Sequence, residues 1–241
     1  MVNVLDRIGQ AFRYRAGMRV ANPILERGNV DEYVRHYNAR LTDCSFLSDP
    51  MHYEYPRGRW VVEHVTGGSV LEVGCGNGGM TRLLAPRVDS VTALDISGPS
   101  LDELDRLKIP NVTCMNGRVE TLALAACFDW VVASEVIEHV QRPIELVRRC
   151  VELAVPGGSV VITTPNGHWE SDEHVHEWSL SKLASLVCKI GEVESVDLSY
   201  LRDAGGRRRW IGVILRTPVA PPTPDSFFDR TAVVRMRRRD K

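Results

Sequence analysis

No apolar run in the 241-residue sequence approaches the roughly 18 residues that a membrane-spanning helix needs. The N-terminus lacks a long apolar core with a small-residue cleavage site, so no secretory leader is read there. Six cysteines are present, but there is no Cys-x-x-Cys pair and no zinc-like spacing. Five of them stand beside apolar residues in periodic segments, the setting of small buried hydrophobes, which points to a reducing compartment. The expected location is cytoplasmic. An excess of either charge is also missing. The formal net charge is −1, so no whole-molecule field draws the chain to nucleic acid or anionic lipid. Internal repeats are absent as well.

What is present is ordinary for a globular protein, with 44% apolar and 25% charged residues on a length that suits one domain with an appendage. Local charge is uneven. Arg207, Arg208 and Arg209 form one basic cluster, and Arg235, Arg237, Arg238, Arg239 and Lys241 form another. Residues 3–20 have the spacing of a basic amphipathic helix, which Pro23 would end. It is expected to be a lid or dimer helix rather than a membrane-surface one. A second helix is expected from Asp31 and a third after Pro56.

From residue 69 a regular alternation begins. Strand-like runs SVLEV, SVTALD, NVTCM, FDWVVAS and GSVVITT are separated by helical patterns near 79–86, 99–107 and 143–154. Runs apolar on both faces, alternating with helices, predict an α/β fold with a parallel sheet covered on both sides. A further helix is expected from Ser179, whose hydroxyl can cap it, to about Gly191. Then VESVDLSYL and RRWIGVILR predict an antiparallel hairpin turned at Asp203–Arg208, which makes the sheet mixed. The Pro-rich and then charged tail from Thr217 is expected to be a surface wrap or a loose end.

The turn after the first run, Gly74-Cys75-Gly76-Asn77-Gly78-Gly79, fits both a dinucleotide template and an S-adenosylmethionine template. In either case glycines let a ligand approach the backbone at the carboxyl ends of parallel strands. Its surroundings separate the two. No tyrosine has a lysine four positions later, and the turn starts at residue 74 rather than near the beginning of the chain. Glu72 sits where an acid can face a cationic ammonium, and Asp95 ends the next strand, where a carboxylate can accept ribose hydroxyls.

Together with the Pro-Gly-Gly turn at 156–158 and the terminal hairpin, these residues resemble the class I S-adenosylmethionine-dependent methyltransferases over roughly residues 57–216. The resemblance implies a Rossmann-like, doubly wound seven-stranded mixed sheet of order 3-2-1-4-5-7-6 with strand 7 antiparallel. An N-terminal helical cap (1–56) and a tail (217–241) would flank it. It also implies S-adenosyl-L-methionine on Glu72, Gly74, Cys75, Gly76 and Gly78, with Asp95 and Ile96 at the ribose. Gly117, Arg118 and Val119 would lie near adenine, and Ser134 near the reactive end. One departure stands out. Arg118 occupies the place of the family's usual acid, so adenine contacts fall to the backbone around Val119 or to Glu120.

For the chemistry, an amine-specific Asn/Asp-Pro-Pro-aromatic motif is absent. In its place, "SEVIEHV" sets Glu135, Glu138 and His139 at i, i+3 and i+4, which share a face if a helix starts there. His174 and His176 follow in the loop before the next helix. Two carboxylates and one or two imidazoles suit a divalent cation with open positions for substrate oxygens. Glu-x-x-Glu-His with Thr-Pro-Asn is similar to the ubiquinone-pathway O-methyltransferases. Combined with His174-x-x-Glu177-Trp178, it resembles the small-RNA terminal 2′-O-methyltransferases. That second likeness implies Mg2+, or another divalent cation, on Glu135, Glu138, His139 and His174. A metal-free His139 base and a purely structural role stand beside it. His168 and Trp169 could line the acceptor pocket, or Trp169 could simply pack.

The expected function is O-methylation of a small sugar, polyol or phenol. The alternatives are an RNA 2′-O-methyltransferase and a non-catalytic cofactor-binding subunit. The expected partner is a small hydroxyl-bearing molecule rather than nucleic acid, with a homodimer through the N-terminal helices open.

Overall fold

The computed structural model describes residues 34–35, 37–38, 45–125, 127–169, 171, 173–191, 193–219 and 233–236. The helix expected at 3–20, His36, Cys44 and the basic run after Met236 lie outside the described residues. Val34, Arg35, Tyr37 and Asn38 are helical, in keeping with the helix expected from Asp31.

Helix α1 (Tyr55–His64) carries Pro56 in its first turn, where a missing N–H costs nothing. Then follow β1 (Ser69–Val73), α2 (Gly79–Leu84), β2 (Ser90–Asp95), α3 (Gly98–Arg106), β3 (Val112–Asn116), β4 (Phe128–Ser134), α4 (Pro143–Leu153) and β5 (Ala154–Pro165). The chain continues through α5 (Leu180–Val187), β6 (Ser195–Arg202), β7 (Arg208–Arg216) and β8 (Val233–Met236). Ser179 caps α5 as its position in the sequence suggests, its Oγ accepting from Lys182 N at 3.3 Å. No helix among the described residues is long and apolar enough to cross a membrane.

The eight strands among the described residues form one sheet, in the order β3-β2-β1-β4-β5-β7-β6-β8. The first seven have the expected mixed order, with β7 antiparallel to both β5 and β6. β8 is an addition. Part of the tail expected to wrap or hang loose runs parallel to β6, from Ser195↔Val233 to Leu198↔Met236. The physical reason is that β6 would otherwise present unpaired N–H and C=O groups along the sheet edge.

The double-sided apolar runs have a direct packing consequence. Along β4, Val131 and Ala133 join the layer under α4 and α5, while Val132 joins the layer under α1, α2 and α3. Each fully buried valine contributes about 1.5–3 kcal/mol. Gly212 lets α1 lie flat on β7, since a Cβ there would stand 2.6 Å from the Trp60 ring. The cysteines correct the sequence reading. Cys75 and Cys150 are buried and Cys114 is half-buried, but Cys127 and Cys188 are exposed. The exposed pair flank element ends, just before β4 and at the C-cap of α5, where the periodic pattern no longer places a residue inside.

Chain order reverses between β1 and β4, so a crevice opens at the carboxyl ends of these neighbours.

Candidate functional site

The floor of the crevice is the turn after β1. Gly74, Gly76 and Gly78 all have positive φ (72°, 53° and 88°). They differ in what surrounds them. A Cβ on Gly74 would stand 2.6 Å from Val136 Cγ2, and one on Gly78 would stand 2.4 Å from Leu104 Cδ1. At Gly76 the nearest atom is Tyr37 Oη, 3.8 Å away. Two of these glycines are demanded by packing, and Gly76 presents bare backbone to the crevice.

Gly76 N–H donates to Asp95 Oδ2, and Ser97 N–H to Asp95 Oδ1, each at 2.8 Å. A carboxylate accepts about four hydrogen bonds, so Asp95 keeps capacity for a ligand. Burial raises its pKa, against these two N–H donors. Glu72 lies deeper, accepting from Thr81 Oγ1 at 2.6 Å. Burial pushes its carboxyl up to about 8, partly offset by Thr81. An arriving cation would draw that proton off.

On the flank, Gly117 N donates to Asp95 O at 2.9 Å. Arg118 turns outward, with Nε 3.6 Å from Glu120 Oε2, so these two candidate adenine residues face each other. The Val119 side chain is buried, and its carbonyl accepts from Arg149 Nε at 3.4 Å. Cys75 is buried beneath the turn, its thiol pushed up by burial, and Ile96 is half-buried after β2.

The exit of β4 departs from expectation. Residues 135–140 form a tight turn, not a helix, closed by His139 N–H to Val136 O at 3.0 Å. Glu135 takes the left-handed conformation (φ 58°), a strain of about 1–3 kcal/mol. The i, i+3, i+4 face therefore does not exist, and Glu135 leaves in a different direction from Glu138. It is buried, and Thr163 Oγ1 donates to its Oε1 at 3.0 Å. Trp210 hydrogen-bonds it as well. The Arg57 guanidinium, from α1, stands within charge range. It donates to Ser134 Oγ at 2.7 Å and pairs with Glu54. Burial lifts Glu135 to about 7, against the pull of Arg57.

Glu138, His139 and His174 do come together, with one donor atom from each lying within 4.8 Å of the others. The backbone enforces this, because Val175 N and His176 N both donate to Glu138 O, at 2.8 and 3.0 Å. That brace pins the loop after β5 onto the turn after β4. Thr164 Oγ1 donates to Glu138 Oε2 at 2.9 Å, while Glu138 Oε1 is buried with no hydrogen-bond partner. It lies 3.8 Å from His139 Nε2. His139 Nδ1 is 3.2 Å from Glu173 O, so Nδ1 carries the proton and Nε2 presents its lone pair. The His139 and His174 rings meet edge to face, with centroids 4.9 Å apart.

Burial, followed by the charge of Glu135, holds the Glu138 carboxyl well above the usual range. Burial lowers His139. It also takes His174 to about 3, helped by His139 and His168. Two neutral imidazoles and a charge-suppressed carboxylate with an unbonded oxygen are a donor set that a divalent cation fits. Glu135 is not part of it, and a guanidinium stands beside it instead. His176 contributes its backbone, while its ring packs against Trp178 at 5.6 Å.

Sequence reasoning missed Arg57, only 5% exposed, and Thr164. An arginine one residue after a helix-starting proline carries no local mark of burial. The Thr-Pro-Asn pattern marked the end of β5 without showing that both threonines would hold carboxylates. Above Glu135, Tyr53, Trp169 and Trp210 gather with centroids 6.2–6.3 Å apart.

With this geometry in view, comparison with known proteins is informative. A family described as a methyltransferase domain matches residues 44–197. A ubiquinone biosynthesis O-methyltransferase of Azotobacter vinelandii is 37% identical over 125 residues, 48% of this chain and 54% of that protein. The corresponding protein of Idiomarina loihiensis is 31% identical over 175 residues, 64% and 71% of the two chains. The chain thus spans about half the length of the first of these relatives. Among solved structures, the N-methyltransferase NodS of Bradyrhizobium japonicum, in complex with S-adenosyl-L-homocysteine, is 16% identical. It superposes with a TM-score of 0.63 over 77% of this chain and 98% of that one, a likeness of fold.

Proposed function

Because the chain belongs to the methyltransferase-domain family, with the sheet of the class I S-adenosylmethionine-dependent enzymes, we propose that it methylates a hydroxyl oxygen of a small molecule. The acceptor carries two neighbouring oxygens, as a sugar, a polyol or a phenol with adjacent hydroxyls does. Glu138, His139 and His174 would hold a divalent cation, Mg2+ or a similar ion, as the group to which those oxygens bind. The oxygen acceptor is supported by the O-methyltransferase activity named for the sequence relatives.

When bound, S-adenosylmethionine supplies an electrophilic methyl group on a sulfonium. Asp95 would receive its ribose hydroxyls, Glu72 would balance its ammonium, and the bare backbone at Gly76 would let it lie close. Ile96, Gly117, Arg118 and Val119 would hold its base, and Ser134 its reactive end. A bound divalent cation lowers the pKa of a hydroxyl it touches. Glu138 Oε1 would supply the charged donor to such a cation, and the His139 and His174 imidazoles two neutral ones. Arg57 keeps Glu135 paired on the crevice wall. Holding the acceptor oxygen in line is the main demand of such a transfer.

The observation that carries the reading is Glu138 Oε1, buried, without a hydrogen bond, and facing His139 and His174. The test incubates the protein with S-adenosylmethionine and either catechol or a sugar with adjacent hydroxyls, with Mg2+ or with a chelator. An O-methylated product by mass spectrometry, lost on chelation, is expected. No product from either acceptor would remove the reading, and chelator-resistant turnover would remove the cation from it.

A further inference from the structure

The aromatic wall above Glu135 has no part in the scheme so far. Its base is Trp210, in register with Pro165 at the end of β5, about 5 Å away across the strand pair. The residue before Pro165, Thr164, donates to Glu138 Oε2 at 2.9 Å. Trp210 also hydrogen-bonds Glu135, whose Oε1 accepts from Thr163 Oγ1 at 3.0 Å. The indole is thus fixed beside the strand ends that hold both carboxylates. It is only 1% exposed, and Tyr53 and Trp169 lie against it with centroids 6.2 and 6.3 Å away. The Tyr53 ring is nearly parallel to both indoles, at 17° to Trp169 and 19° to Trp210. Tyr53 itself is 42% exposed and Trp169 half-buried. These two side chains leave aromatic surface open at the mouth of the crevice.

Polar groups around the wall are committed to each other. The Tyr53 hydroxyl bonds Glu54, which pairs with Arg57. Burial, and then Glu54, push that phenol up to about 12, so it stays neutral. Arg209 donates to Asp203 Oδ2 at 3.2 Å and lays its guanidinium over Trp169, 5.5 Å from the ring centroid. Asn166 Nδ2 donates to Arg208 O at 3.0 Å. A polyol pressed against this wall would lose water from its hydroxyls and gain few partners in return. A flat hydrocarbon ring avoids that cost, and it gains the attraction of offset, near-parallel aromatic faces. We propose that Tyr53 and Trp169 are specificity-determining residues that stack on the ring of an aromatic acceptor and select it over a sugar or polyol. This inference rests on the O-methylation reading and narrows it to acceptors whose adjacent hydroxyls stand on an aromatic ring.

The test measures acceptor binding by calorimetry in the complex with S-adenosylhomocysteine and Mg2+, where no turnover occurs. Catechol is compared with cis-1,2-cyclohexanediol, which keeps the adjacent hydroxyls and the six-membered ring but is neither flat nor aromatic. The wild type should bind catechol at least tenfold more tightly. Trp169→Ala and Tyr53→Ala should each weaken catechol about tenfold and the cyclohexanediol less than twofold. S-adenosylhomocysteine affinity, unchanged in both, reports folding. Trp169→Phe, which restores an aromatic face, should recover most of the loss. In turnover the KM for catechol should rise about tenfold in Trp169→Ala with kcat within about twofold, as lost uniform binding requires. Equal affinity of the wild type for the two diols overturns the proposal, and decides the matter if the variants do not fold. Folded variants that weaken both diols alike, or neither, overturn it too. A wild type that methylates catechol without preferring it in binding removes this inference alone. A wild type that forms no O-methyl product from catechol or from a sugar removes the reading beneath it as well.

Discussion

Gly76 and Gly78 sit two residues apart, both with positive φ, yet alanine at each should fail for a different reason. A non-glycine residue in the left-handed region costs about 1–2 kcal/mol. At Gly76 that is nearly the whole penalty to folding, because a Cβ there meets nothing closer than Tyr37 Oη at 3.8 Å. At Gly78 the new methyl would stand 2.4 Å from Leu104 Cδ1, a fully buried side chain. Overpacking a core adds about 1–3 kcal/mol. For a domain of this size each kcal/mol lowers Tm by roughly 2–4 °C. Gly76→Ala should therefore lose roughly 2–8 °C, and Gly78→Ala up to roughly 20 °C. Binding should rank the other way. The methyl at 76 fills space that a ligand needs, so S-adenosylhomocysteine affinity should drop at least tenfold, or about 1.4 kcal/mol. Gly78→Ala, measured cold while still folded, should lose less. Calorimetric titration and thermal denaturation of both variants provide the check. Wild-type affinity in Gly76→Ala, or a smaller Tm loss in Gly78→Ala than in Gly76→Ala, would refute the division of labour drawn from the geometry.

Three further outcomes follow. Mn2+ titrated into the protein by calorimetry should bind Glu135→Gln like the wild type, and bind Glu138→Gln or His174→Ala at least tenfold more weakly. Equal weakening in Glu135→Gln would return that residue to the cation site. Glu72 has a folded pKa near 8, above its unfolded value, so its contribution to stability is full below pH 4.5 and is lost as pH rises toward 8. Glu135, raised to about 7, acts in the same sense, and His174, lowered to about 3, acts oppositely by costing stability as pH falls below 6.5. Urea unfolding of the ligand-free protein should show stability falling from pH 6.5 to 8, and less steeply in Glu72→Gln. An unchanged slope in that variant would count against the assignment. Arg57→Ala strands Glu135 and Glu54 and should cost about 3–5 kcal/mol. Adding Glu135→Gln should recover part of it, and strict additivity in the double-mutant cycle would deny the pairing.

The sheet was legible because burial on both faces leaves near-continuous apolar runs. β1, β2 and β4 fall on the residues the pattern marks, and the hairpin falls where its glycines do. The meeting of the glycine turn with Asp95 was legible too, since glycines and acids at strand ends are short-range signals. The turn after β4 was not. Glu135, Glu138 and His139 carry helical spacing, but a left-handed Glu135 redirects the chain, and no periodicity encodes a single inverted residue. Bringing His174 onto that turn depends on the Glu138 carbonyl, a backbone atom with no letter in the sequence. Arg57 is buried only because α1 lies across the sheet end, and β8 exists only because β6 offers an edge.

The placement of β8 also fixes which end of the sheet its first residue occupies. β6 runs parallel to β5, so its first residue, Ser195, lies at the end of the sheet remote from the crevice. Both Arg216, where β7 stops, and Val233, where β8 starts, are paired with that same residue. The two anchor points of residues 217–232 are thus separated by one strand, about 10 Å at the usual spacing. Val233 thus begins β8 at the end of the sheet away from the glycine turn, close beside the point where β7 stops.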